Sequence, residues 1–349
     1  MGHSISRSLC VASLLGLFVT PTASAQSWFT RDVCTVTEPA IDDAILPAHV
    51  LQKAAEIENG VGRLWKITSP AGKVSHLWGT FHSNNRHILD IPAELRQLLG
   101  DARVVALEND PTSGTRPDLL NASQGVDFYR AEAAPDVYAD FEVQVTIWIT
   151  ARISAQGFTP ETIDWLTPGG LGALVLDDPC NDFAAGVLPI QDFRVLMLGR
   201  EAGARIVGLE PADAFMKALN DPARLDTAKA MIEGYGAYLN PEGIKEGRSA
   251  SFALYLQGRI GTLMAWDADY LVDFFGAKKG PELYRKLNGY LVVERNRTFL
   301  QSARPLLDQG DAVIAVGAFH LPGPNGLVQL FRQEGYTVER VPVEGEAPG

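Results

Sequence analysis

The same short pattern closes an apolar strand near each end of this chain. Residues 74–78 run into Gly79-Thr80-Phe81-His82, and residues 312–316 run into Gly317-Ala318-Phe319-His320. Each copy continues as helix, glycine, strand. Residues 92–99 are followed by Gly100 and a strand over 103–107; residues 325–334 are followed by Gly335 and a strand over 336–343. Apolar runs of this length bounded by Gly and Pro read as buried strands, and the 3.6-residue spacing between them reads as helix. The pattern predicts an α/β fold from two half-units, with both histidines at the carboxyl edge of a sheet. Open α/β sheets bind ligands at that edge. A glycine three residues before each histidine permits a tight turn and a close backbone approach.

The first half-unit begins with a predicted helix over 49–59 and a hairpin, residues 64–67 and 74–78 around Pro70-Ala71-Gly72-Lys73. From about 118 to 298 the chain reads as mostly helical, with helices over 138–155, 192–202, 222–238, 261–275 and 281–307 and one short strand over 205–209. The segments 26–47 and 344–349 read as irregular. Residues 26–349 are read as a single domain.

The first 25 residues read as a targeting segment. Arg7 precedes an apolar run from Leu9 to Val19, and Ala23-Ser24-Ala25 is a small-x-small cleavage site. The alternative is an uncleaved N-terminal anchor. No other stretch is long and apolar enough to span a bilayer, so the expected location is the periplasm or the exterior. Only Cys34 and Cys180 would remain after cleavage. Two cysteines in an oxidising compartment read as one disulfide, against the alternative of two unpaired thiols. Net charge is −12 with His neutral, which argues against nucleic acid as a partner, since phosphate contacts need clustered Lys and Arg.

Two acids stand at ends of apolar runs: Glu108 after Val104-Val105-Ala106-Leu107 and Glu210 after Ile206-Val207-Gly208-Leu209. Both are expected at the edge that carries His82 and His320. Two imidazoles with one or two carboxylates suit zinc, manganese or cobalt. They equally suit metal-free acid–base work. Each acid could instead cap a helix or pair in a loop. Arg295, in Glu294-Arg295-Asn296-Arg297, offers a guanidinium for a carboxylate or an oxyanion, or sits on a solvated face. His87 is a lesser candidate, His76 points away from the edge, and His49 reads as structural. There is no Gly-x-Ser-x-Gly elbow, phosphate-binding glycine loop or His-Glu-x-x-His.

The segments 77–82, 107–108, 208–211, 294–297 and 316–323 together resemble the TraB/GumN family, which takes in the animal Tiki proteins, over about residues 64–341. The resemblance implies a mixed central sheet sandwiched by helices, similar to erythromycin esterases and haem-binding ChaN-like proteins, with a large helical insertion. It also implies a metal-dependent hydrolase, expected to be a peptidase acting on a peptide or protein. His82, His320 and Glu108 carry over as metal ligands, and Glu108, Arg295 and Glu210 as catalytic groups. The alternatives are a non-catalytic binding protein for a peptide, haem or another small ligand, and a metal-free esterase. Phe319 stands where relatives are usually small and is expected to narrow the site. Asn109 and Asp110 also depart from the family pattern.

Overall fold

The computed structural model describes residues 29–109, 137–138, 140–156, 158, 166–183 and 190–348. The targeting segment 1–25, Asp110 and the start of the helical middle at 118 lie outside the described residues.

Six strands form one mixed sheet in the order β4-β3-β5-β2-β1-β6. They are β1 (Leu64–Thr68), β2 (Val74–Thr80), β3 (Val104–Asn109), β4 (Arg205–Glu210), β5 (Ala312–Gly317) and β6 (Thr337–Val341). The α/β class and the mixed sheet expected from the sequence are both present. β4, β3, β5 and β2 are mutually parallel, while β1 is antiparallel to both β2 and β6. The four parallel strands therefore end at one edge, in the order Glu210, Asn109, Gly317, Thr80. The register offsets the two glycine motifs by one residue: Gly79 pairs with Val316, and Thr80 pairs with Gly317.

The helices are α1 (Arg31–Cys34), α2 (Ala48–Glu56), α3 (Arg86–Leu89), α4 (Ala93–Asp101), α5 (Val143–Ala155), α6 (Pro168–Leu176), α7 (Gln191–Glu201), α8 (Ala214–Asn220), α9 (Leu225–Ala237), α10 (Ile244–Leu256), α11 (Ile260–Asn288), α12 (Arg295–Leu307) and α13 (Leu327–Gln333). Alternation along the strands sends side chains to two faces. On one face Val104, Ala106, Ile314 and Val316 pack with Phe299 and Ala303 of α12 and with Leu327, Val328 and Phe331 of α13. On the other, Trp78, Val105, Leu107 and Ala315 pack with Leu95 and Leu99 of α4 and with Val195 and Leu196 of α7. The sheet is thus sandwiched.

A separate helical core gathers Val145, Ile149, Leu171, Ile232, Leu271 and Leu287 of the middle segment. Cys34 and Cys180 are joined there by the expected disulfide, 146 residues apart in sequence. α11 is broken at Gly276, whose φ of 81° and ψ of 167° leave the helical region, so the split between 261–275 and 281–307 is real. Gly280 then lies against the backbone of Leu271 and Val272, where an added Cβ would collide with the Leu271 carbonyl oxygen. The predicted helix over 281–307 is not one helix. A π-helical stretch, Gly289–Glu294, separates α11 from α12.

Two other expectations need correction. The N-terminal arm carries α1 and a 3₁₀ turn at Asp43–Ile45, each closed by a side-chain cap from Thr30 or Asp42. The tail is not loose. The Glu346 side chain is buried and pairs with Arg63 Nε and Arg340 Nη2, each at 3.0 Å. Among the described residues no helix is long and apolar enough to cross a membrane.

Candidate active site

The carboxyl edge of the parallel strands gathers the side chains singled out above. Glu108 shares the face of Val104 and Ala106, so it projects toward α12, whose first residue is Arg295. One Arg295 Nη2 meets Glu108 Oε2 at 2.7 Å and Glu210 Oε1 as well, and Arg295 Nε donates to Glu210 Oε1 at 3.0 Å. The π-helical stretch widens the turn just before Arg295. Such turns are frequent at functional sites. Arg295 also lies over Phe299, 5.0 Å from the ring centre, and the same ring is 5.0 Å from the His320 imidazole.

Gly317 explains how the backbone comes so near. Its N–H donates to Glu108 Oε1 at 2.7 Å. A Cβ added to Gly317 would sit 3.1 Å from Glu108 Oε1, 3.6 Å from His320 Cδ2 and 3.6 Å from His82 Nε2. The bare α-carbon therefore marks the point around which both histidines and the acid converge. Gly79 has a matching role: a Cβ there would be 3.0 Å from both Ala318 Cα and Leu321 Cδ2. Neither glycine has positive φ; both are needed for space. The "turns" are thus asymmetric. Gly79 and Thr80 still belong to β2, whereas Ala318–His320 form a 3₁₀ turn after β5.

The hydrogen bonds assign the tautomer of His320. Asn296 Nδ2 donates to the carbonyls of His320 (3.1 Å) and Asn325 (2.8 Å), which leaves Asn296 Oδ1 to accept from His320 Nδ1 at 2.7 Å. With Nδ1 carrying the proton, neutral His320 presents an Nε2 lone pair, 3.5 Å from Glu108 Oε1. Burial pushes His320 down to about 4, beyond what Glu108 can restore. His82 is held differently. Its Nδ1 meets Asp192 Oδ2 at 2.8 Å, and the Thr80 hydroxyl donates to Asp192 Oδ1 at 2.8 Å. Asp192, helped by Glu108, raises His82 to about 9 against the opposing effect of burial. The ring nevertheless keeps 57% side-chain exposure.

The acids divide as well. Burial alone would raise Glu108, but Arg295, the two imidazoles and the Gly317 N–H hold it well below the usual carboxylate range. Glu210 is raised, by burial first and by its neighbour Glu108, despite Arg295. Burial would lower Arg295, and the two carboxylates more than offset it.

The model of the TraB/PrgY/gumN family matches residues 63–340. The chain belongs to that family. A comparison with curated proteins and one with solved structures gave no match.

In this TraB/PrgY/gumN chain His82, His320, Glu108, Glu210 and Arg295 all meet at one edge. The other described histidines do not. His49 Nε2 bonds Asp269 at 2.6 Å on α11, His87 Nε2 bonds the Thr37 carbonyl at 2.6 Å, and His76 lies across from Lys66 in the hairpin. Phe319 packs against the buried cluster of Phe252, Tyr255 and Ala318, as does Phe81 of the first motif. Three contributors escaped the sequence reading. Asp192 and Gln191 open α7; Gln191 Oε1 accepts from the Phe81 N–H at 3.1 Å and from the Tyr255 hydroxyl at 2.7 Å. Asn296 follows Arg295 directly. An acid at the predicted start of a helix was the one local hint of Asp192.

The donor set suits a divalent metal in kind: two Nε2 atoms, each with its Nδ1 fixed by an outer acceptor, and a carboxylate. Outer partners of that sort orient metal-binding histidines. Among the described residues no three His, Cys, Asp or Glu side chains are close enough together to hold an ion as they stand.

Proposed function

We propose that this protein is an exported, metal-dependent hydrolase of peptide bonds, acting in the periplasm or outside the cell. The observation that carries the reading is the convergence on Gly317: His82 Nε2, His320 and Glu108 Oε1 surround one bare α-carbon. His82 Nε2, His320 Nε2 and Glu108 would hold the ion, with zinc, manganese or cobalt as candidates. When bound, such an ion lowers the pKa of water and polarises a carbonyl.

The chain's own groups supply the rest. Arg295 is fixed by two carboxylates and by Phe299, so it can receive a substrate carboxylate or a developing oxyanion without reorganising. Glu210, raised and at the rim of the same guanidinium, can take up a proton that Glu108 cannot keep. Gln191 and Asp192 hold the first motif against α7, and Asn296 holds the second against α12.

A metal-free variant of the same reaction draws on one specific observation. His82 is pushed up to about 9 and His320 down to about 4. Neighbouring groups driven apart in this way make an acid and a base at neutral pH. His320 Nε2 would then accept the proton of the attacking water, and His82 would donate to the leaving amine.

The test is a quenched-fluorescence peptide library with metal analysis of the purified protein. Cleavage that is lost on chelation, restored by one divalent ion and abolished in His82→Ala and His320→Ala supports the metal reading. Cleavage indifferent to chelation but lost in both variants moves the reaction to the metal-free form. Full hydrolysis by the double variant, or capture of peptides without any cleavage, would sink the hydrolase.

A further inference from the structure

The two edges of the sheet are finished differently. At β6 the edge carries charge and is tied to the tail. Glu339 pairs with Lys66 of β1 at 3.1 Å, and Arg340 Nη2 bonds Glu346 and the Ala347 carbonyl. Charged side chains on an edge keep it from pairing with another strand. β4, at the opposite edge, has one charge ahead of its terminal Glu210. That charge is Arg205 at its first position, and Ile206-Val207-Gly208-Leu209 lie between. The faces of β4 are covered: Val207 and Leu209 pack toward α12, and Ile206 toward α4 and α7. Its main chain on the side away from β3 is not paired with any strand among the described residues.

The register identifies the main-chain groups on that side. β4 runs parallel to β3, with Val104 opposite Arg205 and Leu107 opposite Gly208. The Arg205 N–H donates to the Arg103 carbonyl at 3.1 Å. Successive residues of a strand turn their N–H and C=O to opposite sides. Val207 and Leu209 therefore face β3 as Arg205 does, while Ile206, Gly208 and Glu210 face outward. None of these three takes a main-chain hydrogen bond on that side among the described residues. Arg205 is exposed and residues 206–208 are half-buried, so the edge can be reached. An open groove follows it from Ile206 to Ala212. Gly208, at its middle, lets another backbone approach closely. Pro211, without an N–H, ends the pairing surface.

This edge runs into the site. Glu210 is its last residue and accepts from Arg295 Nε at 3.0 Å, and Arg295 also holds Glu108. We propose that β4 is the docking edge for the substrate, an extended peptide that adds beside it as a further strand and passes its free end to the Arg295–Glu108 pair. Pairing of this kind draws affinity from main-chain hydrogen bonds, so it reads length more than sequence. From the added strand to β5 and Gly317 there are three inter-strand steps, roughly 14 Å in all. An extended chain crosses that span in about four residues. With about five more residues paired along β4, the substrate is an unfolded segment of roughly nine residues or longer. The inference rests on the peptide reading of the neighbouring site, but the docking itself needs no turnover.

The test is hydrogen exchange of the full chain, resolved to single amides by mass spectrometry, with three probes. One is a pool of capped decapeptides of mixed sequence, one is the same pool N-methylated at every residue, and the third is a pool of capped tripeptides. The decapeptides should slow exchange at Ile206, Gly208 and Glu210 by about tenfold or more. Val207 and Leu209, already bonded to β3, should change little, and the two control pools should leave all five amides as they were. Gly208→Pro removes one outward donor and spares the β3 ladder, and it should abolish the slowing at Ile206 and Glu210. Equal slowing by either control pool, no slowing at all, or slowing that survives Gly208→Pro overturns the docking edge. So do slow exchange at these amides without peptide and a dimeric mass, since a second copy would then occupy the edge. If Gly208→Pro does not fold, the comparison of pools on the unaltered chain decides. If slowing is seen and no peptide is ever cleaved, the hydrolase reading falls while the docking edge stands; cleavage of decapeptides without slowing does the reverse.

Discussion

The two Gly-x-x-His motifs are nearly identical in sequence and opposite in physical state. Both follow parallel neighbouring strands, and both send their phenylalanine into the same cluster. His82 then stands half in solvent against a carboxylate, and is cationic at neutral pH. His320 sits buried against an amide and is neutral. The motif places each imidazole; the helix packed on its face of the sheet, α7 or α12, sets its charge. A duplicated motif has become two different groups because the sheet has two different faces.

The largest effect should come from removing what both arms share. Arg295→Met leaves Glu108 and Glu210 facing each other at the buried edge. Breaking a buried pair by deleting one partner costs about 3–5 kcal/mol, and urea unfolding at pH 7 should register that loss. Raising stability instead would show that the edge is wet enough to solvate both acids.

Next comes the contrast itself. His320→Ala removes a buried ring packed on Phe299 and should cost about 2–4 kcal/mol. His82→Ala removes a half-exposed ring and should stay within about 0.5 kcal/mol. Both variants should lose cleavage. Equal losses of stability would erase the asymmetry between the two imidazoles.

Much of this edge is legible in the sequence, and the reasons are local. A run such as Val104–Leu107 is apolar because the strand is buried on both faces, so the polar residue that ends it must lie at the sheet's edge. That places Glu108, Glu210 and both histidine motifs without any tertiary information. The partners that tune them are not local. Asp192 lies 110 residues from His82, and nothing in Gln191-Asp192 distinguishes a histidine's carboxylate from an ordinary first-turn acid. The π-helical stretch has no sequence mark either, so one helix was expected where there are two.

The arms should also separate in pH. His320 is lowered, so between pH 6.5 and about 4 the unfolded chain binds more protons than the folded one. Stability therefore falls as pH drops through that window, by about 2–3 kcal/mol from this residue. Glu108, also lowered, adds a loss of the same sign below the ordinary carboxylate range. His82 is raised, so its contribution is complete below pH 6.5 and is lost as pH rises toward about 9, weakly because the ring is exposed. His320→Ala should flatten the acid limb of the stability curve and His82→Ala the alkaline limb. A curve that His320→Ala leaves unchanged would mean that His320 is not neutral in the fold.

The smallest change tests the claim about α7 most directly. Asp192→Asn keeps the size and leaves an oxygen to accept from His82 Nδ1, but it removes the charge that is the main cause of the raised value. By NMR titration of the metal-free protein, the His82 resonance should move from about 9 toward its ordinary 6.5, while His320 stays low. Global stability should shift by no more than about 1 kcal/mol, the range of an exposed ion pair. With that oxygen turned to His82, the asparagine Nδ2 faces Thr80, whose hydroxyl can rotate to accept from it, so the strand end should not move. A His82 value that stays near 9 would transfer the cause to Glu108, the remaining acid that raises it. The two arms would then share one source of charge, and the division of labour between the two faces of the sheet would not hold.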